Sequence, residues 1–120
     1  MDTDVTQMGE VTVVRLLGSR LDAAQSVPFK EALRSVSDTG AHHILLDMSE
    51  VEFLDSSGLG AIVTVMKYLG REKRVQLAGL SGAVAKVFRL TRMDSVFDVF
   101  DDVDAALAAA QNSGAREVRA

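Results

Sequence analysis

Two groups of residues in this chain have types that could do chemistry. One is the neighbouring pair His42-His43, and the other is the run Leu54-Asp55-Ser56-Ser57-Gly58-Leu59-Gly60. On a strand, adjacent side chains point to opposite faces, so the two histidines cannot jointly hold one metal ion. With no cysteine in the chain, thiolate metal sites, thiol nucleophiles and disulfides are excluded as well. The serine run does not fit the G-x-S-x-G spacing of a nucleophile elbow. No G-x-x-x-x-G-K-[ST] phosphate loop is present, and Gly58-Leu59-Gly60 lacks the third glycine of a dinucleotide fingerprint. Intrinsic catalysis, a cofactor and a metal are therefore not expected.

What Asp55-Ser56-Ser57 offers is a carboxylate and two hydroxyls just before a strongly apolar segment. Asp and Ser in that place can cap the free N–H groups of a helix start. They would also stand in an exposed loop, where a serine can serve as a kinase target. A phosphate there adds about −1.5 to −2 charges and alters what the surface can bind. The helix end itself would tolerate that charge. The two roles are compatible.

The elements that must position this run can be read from periodicity. Residues 10–17 are rich in β-branched types and predict a strand, with a brief resumption at Arg20-Leu21-Asp22 after Gly18-Ser19. Ala23 to Ser37 predicts a helix with Phe29, Leu33 and Val36 as its buried stripe and Pro28 near its start. Thr39-Gly40 closes it. His43 to Met48 is a short apolar run suited to a strand covered on both faces. Leu59 to Leu69 is too long for a strand and predicts a helix, with Ile62, Val63, Met66 and Leu69 spaced to one side. Arg74–Ala78 predicts a strand, and 82–93 a helix with Val84, Val87, Phe88 and Met93 inward. An edge strand over 96–100 and an alanine-rich helix over 101–111 complete the reading. Strand and helix alternate with short connections, so the fold class is α/β with parallel pairing.

Composition sets the outer limits. At 120 residues and 48% hydrophobic content, one domain over 1–112 has material for a core, with a flexible tail expected over 113–120. The net charge of −4 and scattered basic residues argue against nucleic acid as a partner. No apolar run approaches the ~20 residues of a membrane span, and the acidic start is unlike a signal peptide. A cytoplasmic location is expected.

The run LLDMSEVEFLDSSGLGAIVTVMKYL resembles the signature of the STAS domain, in its bacterial anti-sigma factor antagonist group. The resemblance spans nearly the whole chain. It implies a small mixed sheet of four to five strands, flanked mostly on one side by about four helices. It also implies a regulator that binds an anti-sigma factor, itself a serine kinase with an ATPase-like fold, and so frees a sigma factor. Phosphorylation by that kinase would release the antagonist, and a metal-dependent serine phosphatase would reverse the mark. The family's acceptor matches Ser57, with Ser56 a minor candidate. Asp55, Ser56, Ser57, Gly58 and Leu59 match the motif that meets the partner. Asp22 matches an aspartate near the same face, after a loop one residue longer than the commonest form. Such proteins are usually monomers. The resemblance also admits other outputs: another partner-switching or biofilm system, or a structural subunit of a lipid-transport ATPase.

Overall fold

The computed structural model describes the backbone of residues 1–119 and the side chains of residues 1–111. Five strands form the main sheet: β1 (Asp2–Met8), β2 (Val11–Leu17), β4 (His43–Asp47), β6 (Arg74–Ala78) and β7 (Val99–Phe100). They lie in the order β1-β2-β4-β6-β7, with β1 antiparallel to β2 and all other pairs parallel. Two further strands, β3 (Arg20–Leu21) and β5 (Phe53–Leu54), pair with each other outside that sheet. The helices are α1 (Ala23–Asp38), α2 (Ser56–Leu69), α3 (Gly82–Leu90) and α4 (Val103–Arg119).

Alternation along the strands divides the core in two. Val14 and Leu16 of β2, Ile44 and Leu46 of β4 and Leu77 of β6 face α1 and α2, where they meet Phe29, Leu33, Ile62, Val65 and Met66. Fully burying each of these side chains contributes roughly 1.5–3 kcal/mol. Val11, Val13, Leu45 and Ala78 face the other way and are covered by Ala106, Val103 and Leu107 of α4. The helices thus sit mostly on one side of a mixed five-stranded sheet, as expected for a STAS fold.

Most predicted elements stand, with several corrections. Strand β1 was not predicted: nearly all of it is exposed at the sheet edge, so no burial pattern marks DTDVTQM as a strand. Pro28 falls in the second turn of α1, beyond the residues whose N–H groups are spare. The bond it forfeits would have gone to the carbonyl of exposed Ala24, which water can satisfy. Helix α3 stops at Leu90 because Arg92 turns left-handed at φ 60°, leaving Met93 in a short 3-10 turn. Of the edge strand expected over 96–100 only Val99–Phe100 forms, and Val96 still has a helical backbone conformation. Val63, Val87 and Met93 are half-buried rather than central. Gly40, at φ +88°, does close α1 in the left-handed conformation that glycine adopts most readily. The backbone of α4 continues to Arg119. The flexible tail expected over 113–120 falls on residues whose side chains lie outside those described.

Candidate functional site

Two short segments with the same pattern build the site. Arg20-Leu21-Asp22 precedes α1, and Phe53-Leu54-Asp55 precedes α2. They pair in parallel as β3 and β5, with Arg20 opposite Phe53 and Leu21 opposite Leu54. The Ser19 carbonyl accepts from both the Glu52 and Phe53 N–H groups, at 2.7 and 3.0 Å, which locks the two segments together. The Ser81 hydroxyl donates to the Val51 carbonyl at 2.9 Å and holds the approach to β5 from the other side. Two helix starts are therefore fixed side by side, each with an aspartate at its N-cap position.

The two aspartates behave differently. Asp55 caps α2: its Oδ1 accepts the Gly58 N–H at 2.8 Å. Asp22 makes no cap bond. Its Oδ2 accepts from Arg20 Nε at 3.3 Å, and its Oδ1 is buried with no hydrogen-bond partner among the described residues. A buried acceptor left unpaired costs free energy. Asp55→Ala will lower stability by about 1 kcal/mol, the worth of a side-chain cap, while Asp55→Asn keeps most of it. Urea unfolding checks this, and equal losses in the two variants would show that the cap bond is not the cause.

Ser56 and Ser57 occupy the first two positions of α2, and both are exposed. Among the described residues neither hydroxyl has a hydrogen-bond partner in the protein. The capping task that sequence alone left open to the serines belongs to Asp55. The backbone under Ser57 is nevertheless held, because the single Ser26 hydroxyl lies 2.9 Å from the Asp22 carbonyl and 3.2 Å from that of Ser57. Gly58 is buried, and a Cβ built on it would come within 2.0 Å of the Leu21 carbonyl oxygen. Leu59 is half-buried and packs on the core.

Three residues at the site escaped sequence reasoning. Phe53 is 40% exposed, the Arg20 guanidinium stacks 4.0 Å from the centroid of its ring, and Ser26 bridges the helix starts. The repeated x-Leu-Asp pattern before two helices was the signal that could have paired Arg20 with Phe53. The histidines lie elsewhere. His42 precedes β4 and is exposed, while His43 on β4 is 2.7 Å from Gln76 Oε1. Among the described residues no His, Cys, Asp or Glu cluster could hold a metal ion, and no helix is long and apolar enough to cross a membrane.

A mixed sheet with paired helix starts, a capped α2 and a bare serine at its second position defines a small α/β module with a surface-held hydroxyl. Residues 2–106 match the STAS domain, and the chain belongs to that family. It is similar to the anti-sigma-B factor antagonist of Staphylococcus epidermidis, at 26% identity over 84 residues, covering 69% of this chain and 78% of that protein. Among solved structures, an anti-sigma factor antagonist from Mycobacterium paratuberculosis superimposes with a TM-score of 0.82 at 27% identity, over 92% of this chain and 93% of the other. The fold is also that of the Bacillus cell fate determinant SpoIIAA in its phosphorylated form, with a TM-score of 0.65 at 22% identity, covering 91% and 99% of the two chains.

Proposed function

We propose that this chain is an anti-sigma factor antagonist controlled by phosphorylation of Ser57. The observation that carries the reading is the state of that residue: exposed, hydroxyl unbonded among the described residues, backbone held by Ser26, and set at the positive end of a capped helix. A hydroxyl with no part in the fold can be esterified without unfolding anything. The names of the relatives supply the biological setting.

In the unmodified state the face around Asp22, Asp55, Ser56, Ser57 and Gly58 binds a serine-kinase anti-sigma factor, which lets go of its sigma factor. The kinase then transfers the γ-phosphoryl group of ATP to Ser57 Oγ. The hydroxyl proton is lost, ADP leaves, and the phosphorylated antagonist separates. A metal-dependent serine phosphatase hydrolyses the ester and restores binding. The chain works by association rather than by catalysis, as a monomer in the cytoplasm, and needs no cofactor.

The test is phosphotransfer with the purified cognate kinase and ATP, mapped by mass spectrometry. One phosphate on Ser57 is expected, lost in Ser57→Ala and kept in Ser56→Ala. Labelling that survives Ser57→Ala, or none on the unaltered chain, removes the proposal.

A further inference from the structure

The contact between Arg20 and Asp22 is poorly made for a permanent ion pair. It uses Nε alone, at 3.3 Å, and the Arg20 side chain is 59% exposed. Asp22 keeps its other oxygen unpaired among the described residues. An arginine that holds a carboxylate well uses two parallel N–H groups at shorter range. Arg20 lays its planar face on the Phe53 ring instead, a contact comparable in worth to a surface ion pair. It is loosely parked.

Its parking place adjoins the phosphoacceptor. Arg20 lies opposite Phe53, and β5 leads through Leu54 and Asp55 directly into Ser56-Ser57. The hydroxyl of Ser26 touches the backbone carbonyls of both Asp22 and Ser57, so the residue whose carboxylate Arg20 now holds has its backbone tied to that of Ser57 through one side chain. A phosphoserine dianion presents several strong acceptors and more charge than one carboxylate. The guanidinium fork matches that group in a way the carboxylate does not satisfy here.

We propose that Arg20 is the arm that captures the phosphate on Ser57. This rests on the reading of Ser57 as the phosphoacceptor and adds to it the internal event that follows. The Nε–H bond to Asp22 Oδ2 breaks, and two guanidinium N–H groups donate to phosphate oxygens. Asp22 is left with both oxygens unpaired, and Phe53 loses the cation over its ring. Phosphorylation thus rearranges the whole face, not one side chain.

The experiment needs no kinase. Phosphoserine is installed at position 57 during translation, and the second ionisation of the phosphate is followed by phosphorus NMR in the unaltered chain, Arg20→Met and Arg20→Lys. Asp22, Asp55 and Glu52 all disfavour the dianion, and Arg20 favours it. The midpoint should rise in Arg20→Met by roughly half a pH unit, the size expected of an exposed pair, with Arg20→Lys between. The Arg20 δ-methylene protons, shifted by the Phe53 ring current in the unmodified chain, should move to unstacked positions once phosphate is present. An unchanged midpoint overturns the capture. So does a changed midpoint with unmoved Arg20 resonances, which means action at a distance. A Ser57 that no kinase modifies would instead sink the proposed function while leaving these readings intact.

Discussion

Gly58→Ala will destabilise this domain by roughly 2–3 kcal/mol, an overpacking cost larger than the gain in helix propensity that alanine brings. The added methyl would meet the Leu21 carbonyl oxygen at 2.0 Å, the Leu21 carbonyl carbon at 2.8 Å and Leu54 Cδ1 at 2.9 Å. Two of these atoms are backbone and cannot rotate away. Helix α2 must therefore retreat from β3, and with it goes the Ser26 contact to the Ser57 carbonyl. Gly60→Ala is the matched control. It lies two residues on in the same helix with nothing within 4 Å of its Cβ, so it should gain about 0.5–1 kcal/mol from propensity alone. Thermal unfolding separates the pair: the first variant melts about 8–12 °C lower and the second slightly higher. If both move the same way, close approach is not what holds the two helix starts together.

That packing marks where sequence reasoning stops. Phe29, Leu33 and Val36 announced α1 because a helix buried on one side must repeat its apolar residues near every third or fourth place, and all three are buried. The run Ile44-Leu45-Leu46 announced β4 because a strand covered on both faces has no polar alternation, and it too is buried throughout. The Asp-Ser-Ser-Gly run was visible as a helix start with exposed hydroxyls. Nothing local, however, says that residues 20–22 lie against 53–55. Two-residue strands carry too little periodicity to be seen, and their register follows from where β2 and β4 end in the sheet. The contact of Ser26 with Ser57, 31 positions apart, depends on that register. Strand β1 was hidden for the opposite reason, since an exposed edge imposes no pattern on its residues. The candidate site was thus half legible: Asp55, Ser57 and Gly58 from the chain, Arg20, Ser26 and Phe53 from the fold.

Phosphate on Ser57 will weaken binding to the cognate kinase at least about 100-fold, or roughly 2.7 kcal/mol, while Ser57→Ala stays within about threefold of the unaltered chain. Two effects add. The phosphate adds about −1.5 to −2 charges at the start of α2, more than the single Arg20 cation offsets, so a partner that accepts the neutral hydroxyl meets excess negative charge. The phosphate also carries a hydration shell, which must be stripped wherever the partner cannot supply donors. Ser57→Glu reproduces neither fully, having one charge and a shorter, flatter head, and should weaken binding only about tenfold. Salt tells the two effects apart. Raising ionic strength from about 0.1 M to about 1 M shortens the screening length from about 10 Å to about 3 Å, so the Coulombic part shrinks and the desolvation part stays. Calorimetric titration of the phosphorylated and bare chains at both salt levels measures the split. A phosphorylated chain that binds within threefold of the bare one at low salt would show that Ser57 lies off the docking face.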